Sequence, residues 1–279
     1  MTTMTAPDQT AAPTVARPAP PHPSLITATI GIARRTLAKF LRTPQLVVVG
    51  TIQGAMFLFI FRYVFGGAIG IQGVNYVDFL IPGFVATSVL FVGMGTAAGV
   101  AEDLDQGFVD RLRSLPIPRS AILAGRALAD TALLTWNVAF TVAIGFAVGF
   151  GLHGGVTQGL AAFGLCVLFG LAFTWLFVLI GLVAGNAQAA QGMSLLVFPL
   201  TFVSSAYVPV RSMPGWLQAF ANHQPITPMV DAVRALCLGP HAQAVLGHSA
   251  GHYVAPALAW SAGLCAVLIP LAVARFRRV

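Results

Sequence analysis

Charge is scarce in this sequence. Only 8% of its 279 residues are Asp, Glu, Lys or Arg, against about 25% in a typical soluble domain. Hydrophobic residues make up 57%, and the mean hydropathy is +0.84. A single soluble core of this length cannot bury so many apolar side chains, which excludes a water-soluble domain and leaves the bilayer as the solvent. Lysine is almost missing, with Lys39 in "TLAKFL" the only one. A phosphate-binding loop needs GxxxxGK followed by Ser or Thr, so this chain does not bind ATP by that route. The three cysteines, Cys166, Cys237 and Cys265, form no CxxC pair. That excludes a disulfide framework and a thiolate metal centre, and leaves them as small buried apolar side chains. Neither GxSxG nor HExxH occurs, so no hydrolase constellation is legible. Ionisable groups at the centres of the apolar stretches are missing too. Asp78, Asp130 and Arg62 all stand near span ends, which argues against a proton or sodium relay. If the chain moves a solute uphill, the energy comes from another polypeptide.

What is present is a series of long apolar stretches. A membrane span needs about 20 mostly apolar residues. Stretches of that kind run over 45–65, 78–100, 121–149, 159–184, 191–210 and 254–274. With both termini in the cytoplasm, every basic residue except Arg62, Arg211 and Arg234 falls on the inner side, as the positive-inside rule requires. The net charge of +7 therefore reads as membrane topology and not as a nucleic-acid footprint. The expected fold is all-α: a polytopic plasma-membrane protein with six spans.

Residues 1–23 are rich in Pro, Ala and Thr and read as a disordered arm without a cleaved signal. A basic amphipathic helix follows, over about 24–42. Ile26, Ile30, Ala33, Leu37 and Leu41 share one face; Arg35, Lys39 and Arg42 share the opposite one, with Arg34 in the same basic run. The pattern suits a helix lying in the cytoplasmic headgroup layer. Gly95 and Gly99, Gly145 and Gly149, and Gly181 and Gly185 have the small-xxx-small spacing that permits close helix approach.

Five of the eight acidic residues lie between Glu102 and Asp130. Leu104, Phe108, Leu112 and Leu115 recur at i, i+4, i+8 and i+11, which predicts one helix over about 102–115 with an apolar stripe. Pro116 and Pro118 end it, and Arg126 and Asp130 form an i, i+4 pair at the start of the third span. A loop that only fixes topology needs no periodic apolar face, so this segment reads as a docking surface. Between the fifth and sixth spans, about 205–240, the chain is interrupted by Pro209, Pro214, Pro225 and Pro228 and carries Trp216. It reads as a re-entrant or surface-lying helical hairpin on the outer face, with a helix over 228–238 that Gly239 ends. His248 and His252 are four apart, but no carboxylate or thiolate is close by in sequence. The expected reading is an exposed polar loop and no metal.

"DRLRSLPIPRSAILAGRALAD", "RYVFGGAI", "FLIPGF" and "YVPVRSMPGWLQAFANHQPITPMVDAVRAL" together closely resemble the ABC type-2 export permeases of the daunorubicin-resistance type, over nearly everything after residue 30. The resemblance implies one permease domain, 24–279, pairing with a second permease chain and with separate ATPase subunits. It implies no cofactor and no catalysis on this chain, and a hydrophobic or amphipathic cargo carried between protomers. The loop after the second span would be the coupling helix, with Glu102, Phe108, Asp110, Arg111, Leu112 and Arg113 as ATPase-facing residues. The N-terminal amphipathic helix would touch the same subunit. Relatives often alternate basic with acidic residues before the glycine of this loop, whereas this chain reads Glu102-Asp103-Leu104-Asp105-Gln106; partner preference therefore does not carry over. A non-transporting membrane anchor would show the same spans. A secondary transporter would work without an ATPase.

Overall fold

The computed structural model describes residues 24–42, 52, 54–65, 74–113 and 119–278. All regular structure among them is helical. In chain order the helices are α1 (Leu25–Arg42), α2 (Gly54–Val64), α3 (Tyr76–Asp105), α4 (Phe108–Arg113), α5 (Arg119–Ala147), α6 (Gly155–Ala184), α7 (Ala187–Ser194), α8 (Phe198–Phe202), α9 (Gly215–His223), α10 (Ile226–Leu238), α11 (Ala242–Leu246) and α12 (Ala250–Arg278). The N-terminal arm and the start of the first expected span lie outside the described residues.

Helices α3, α5, α6 and α12 are long and apolar enough to cross a membrane. Thirty residues at 1.5 Å each give α3 a length of about 45 Å, more than the hydrocarbon core of about 30 Å requires. The bundle is built around α3, whose apolar window is 83% buried, against 22% for α12. Helix α3 packs on α5, α6, α7 and α10. Helices α5 and α12 instead leave Trp136, Phe140, Leu258, Trp260, Val267 and Leu271 exposed. In water such a belt would be a large apolar patch; in lipid it is the solvated surface. The protein is an all-α, multi-pass membrane protein.

The sequence and the structure differ in three elements. The stretch expected to span over 191–210 is helical from α7 through a 3-10 turn at Leu195–Val197 to α8, and leaves the helix at Val203. Its end is capped from elsewhere: Gln224 Nε2 donates to the carbonyls of Leu200 (3.1 Å) and Val203 (2.7 Å). The predicted hairpin over 205–240 is present as α9 and α10, but α10 lies inside the bundle, packed on α3, α6 and α12, with ten of its residues buried. On α1, Ile32, Ala33 and Thr36 are buried, and the helix packs against α5. Gly125 makes that approach possible, since a Cβ there would come within 2.7 Å of Thr29 O. Leu25, Ile26, Ile30 and Leu41 remain exposed, as an interfacial helix requires.

The glycine pairs resolve into different roles. A Cβ at Gly181 would sit 2.6 Å from Ala97 O, so this glycine permits the close packing of α6 on α3. A Cβ at Gly95 would meet nothing within 4 Å. Gly149 and Gly185 follow the ends of α5 and α6 with φ of +97° and +78°, a turn function and not a packing one. Gly181→Ala should therefore cost about 1–3 kcal/mol through overpacking against backbone, and Gly95→Ala should cost nothing measurable. Thermal unfolding of the two variants in detergent checks this; equal midpoints would contradict the assignment.

Candidate functional site

Polar chemistry gathers at the two ends of α3. At its C-terminal end the predicted 102–115 helix is divided. Helix α3 continues to Asp105, where Gln106 N and Gly107 N donate to the carbonyls of Glu102 and Leu104. Gly107 then adopts φ +64°, a left-handed conformation that glycine accepts without strain, and α4 starts at Phe108. The apolar spacing runs on across this break, but Leu104 and Leu112 sit on different helices. Both turn inward, with the buried Val109, onto a cluster of Ile32, Val100, Ile122, Leu123, Val178, Leu182 and Phe276. The apolar stripe is therefore largely consumed inside the chain. Phe108 is half-buried beneath Arg35, whose guanidinium carbon lies 3.4 Å from the ring centroid, close enough for a cation–π contact. Arg111 is exposed. Asp110 and Arg113 fall on α4, but their side chains lie outside the described residues.

Three helices are tied together here by charge. Lys39 Nζ on α1 reaches Glu102 Oε2 on α3 at 2.8 Å, and Gln106 Nε2 donates to Glu102 Oε1 at 3.0 Å. Arg34 and Arg42 are exposed on the same helix. Deeper, Arg126 on α5 donates from Nε to Asp130 Oδ2 (2.9 Å), from Nη1 to Asp103 Oδ2 (3.0 Å) and from Nη2 to Thr96 O (3.3 Å). Arg126 is 8% exposed and Asp130 2%. Gly99 provides the space, since a Cβ there would lie 2.5 Å from Arg126 Nη2. The Arg126–Asp130 pair was legible as an i, i+4 spacing. Asp103 and Gly99 were not legible as its partners, because they come from another helix. The space bounded by Ile32, Thr36, Asp103, Phe108 and Arg126 is only about 30 Å³, room for about one water.

At the other end of α3 a second guanidinium is fully buried. Arg234 on α10 is 0% exposed. It donates from Nε to Phe79 O (2.9 Å), from Nη1 to Asp231 Oδ1 (2.9 Å), and from Nη2 to Ser205 O (2.8 Å) and Ala206 O (3.2 Å). Ser205 Oγ adds a 2.7 Å bond to the same Asp231 oxygen. The sequence placed Arg234 among the residues on the outer side and gave it no role; the signal available was an i, i+3 acid–base pair within an otherwise apolar helix. Pro225 precedes α10 and Pro228 lies in its first turn, while Pro214 precedes α9 and Trp216 at the start of α9 is 75% exposed. Cys166, Cys237 and Cys265 are unpaired thiols, two buried and one half-buried.

The sequence that builds this apolar helix bundle and its charged joint matches a family model. The ABC-2 type transporter model covers residues 27–238. The chain belongs to that family. It is 31% identical over 260 residues to a daunorubicin resistance ABC transporter permease protein of Streptomyces coeruleorubidus, covering 92% of this chain and 89% of that one. It is 28% identical over 169 residues to a probable doxorubicin resistance ABC transporter permease of Mycobacterium tuberculosis, covering 60% and 58% of the two chains. A probable multidrug ABC transporter permease of Escherichia coli is 27% identical over 167 residues, 59% and 45% of the two chains. All three relatives are named as permeases.

The two kinds of charge contact in the joint should differ in weight. Arg126→Ala strands two carboxylates in a dry site and should cost about 3–5 kcal/mol. Lys39→Ala breaks a pair that is 48% and 41% exposed and should cost less than about 1 kcal/mol. Unfolding midpoints of the two purified variants measure the difference; similar losses would contradict it.

Proposed function

We propose that this chain is the membrane-spanning permease of an ATP-driven exporter for hydrophobic or amphipathic compounds, and that a separate ATPase engages it at α4 and the adjoining end of α3. The observation that carries this reading is the joint itself. Helix α4 is short, is set off from α3 by Gly107, and exposes Arg111, while the Lys39–Glu102 pair lies on the adjoining end of α3. Behind it, Arg126 fastens α3 to α5. A push on α4 therefore reaches a spanning helix at once, without passing through a loose loop. The names of the relatives support an exported drug-like cargo, and the exposed apolar belts suit a path at the edge of the chain.

In this reading Glu102 and Arg111 meet the ATPase directly, while Phe108 and Leu112 hold α4 in register. Asp110 and Arg113 complete the docking turn, and Arg34, Arg35, Lys39 and Arg42 seat α1 in the inner headgroup layer. Both termini are cytoplasmic, the α9–α10 hairpin is on the outer side, and the working complex contains two permease chains. Energy conversion is a bias on a two-state arrangement of spans, set by the ATPase and felt through α4.

Reversing the exposed charge tests the dock. Arg111→Glu should leave membrane insertion near wild type and should abolish co-purification of the ATPase with the permease. An Arg111→Glu chain that retains its ATPase and exports at the wild-type rate would overturn the proposal.

A further inference from the structure

The histidines among the described residues are His153 between α5 and α6, His223 at the end of α9, His241 after α10, and His248 and His252 around the start of α12. One of them joins three elements. Asp78, in the first turn of α3, is 4% exposed. Its Oδ1 accepts from Gly151 N at 2.8 Å, and its Oδ2 lies 3.1 Å from His153 Nε2. The His153 side chain is 40% exposed, so protons reach it from solvent. The His241 ring stands edge-on to His153, with centroids 5.5 Å apart. His153 N and Gly154 N both donate to Cys237 O at 2.9 Å, so the α5–α6 turn is also fastened to the last turn of α10.

We propose that Asp78, His153 and His241 form a proton-responsive joint that tightens the α5–α6 turn onto α3, and with it the seat of α10, when this face is acidified. With a neutral imidazole the His153–Asp78 contact is an ordinary hydrogen bond. With a protonated one it becomes a charge-assisted bond to a buried carboxylate, roughly twice as strong. The added bond is present while the imidazole carries both protons and is lost when it gives up the second one. The other ionisable groups at this end are accounted for. On α10, Asp231 and Arg234 are closed on each other. His241 has no carboxylate within ion-pair distance among the described residues, and its own protonation beside His153 works against the bond. His248 and His252 stack on each other at 4.2 Å and abut Tyr253; their protonation at the start of α12 is mutually repulsive. The consequence for export, a stiffer hairpin at acid external pH, rests on the orientation proposed above; the joint itself does not.

The test uses the full chain in lipid nanodiscs, without an ATPase, so it stands apart from the transport reading. Unfolding midpoints are measured from about pH 8 to about pH 5.5, across the imidazole range, with a chelator present. The wild-type midpoint should rise by about 3 °C relative to His153→Gln as pH falls, the shift expected of one strengthened bond in a chain of this size. Asp78→Asn should flatten the same rise, and His252→Gln should keep it. If Asp78→Asn does not fold, wild type against His153→Gln decides. Parallel curves for wild type and His153→Gln would overturn the joint, as would a rise that His252→Gln removes and His153→Gln keeps.

Discussion

A guanidinium buried among apolar helices demands counter-charge and carbonyl oxygen, and it holds whatever supplies them. Two such groups grip α3, one at each end. Arg126 takes Asp103 and Thr96 O from its last turns, and Arg234 takes Phe79 O from its first. Each also binds an acid on its own helix, Asp130 and Asp231. Buried ion pairs of this kind add little net stability over an apolar core, but breaking one is expensive. Their effect is geometric. They fix α3 to α5 at one end and to α10 and the 205–206 turn at the other. In lipid, where apolar faces do not drive helix association, such bonds and close glycine packing set the arrangement.

The central position of α3 turns that geometry into a mechanism. The helix that adjoins the proposed dock also runs through the middle of the bundle and packs on α10 at its other end. If the ATPase engages α4 as proposed, a displacement there is delivered to the far side as movement of one clamped rod, and α1, tied through Lys39 and Glu102, moves with it or resists it. The space behind α4, about 30 Å³, leaves no room for cargo, which in this reading sets the cargo path apart from the force path.

Hydropathy alone located α3, α5, α6 and α12, which are apolar over a full membrane-crossing length; it also marked 191–210, where the helix breaks up into α7 and α8. The resemblance in residues 110–130 and 207–236 gave the family. Periodicity failed at Gly107, where the apolar spacing continues by coincidence across a left-handed residue, and one helix was read where there are two. It also placed the stripe of Leu104 and Leu112 on a docking surface, when that stripe packs inward. Arg234 was opaque for another reason. Its Phe79 partner is 155 positions away, and no local pattern reports such a bond. The glycine pairs were legible as small residues at helical spacing, but only neighbouring helices distinguish Gly181, which admits a backbone, from Gly95, which admits nothing.

The rod is tested most directly by loosening one clamp without stranding its arginine. Asp103→Asn removes the ion pair between α3 and Arg126 and leaves only the Thr96 carbonyl of α3 as a firm acceptor, while Asp130 remains as counter-charge. The measurement is compound exported per ATP hydrolysed by the permease reconstituted with its ATPase. The account predicts that the variant assembles and hydrolyses ATP but exports far less compound per ATP than wild type. An assembled Asp103→Asn complex with the wild-type ratio would contradict it.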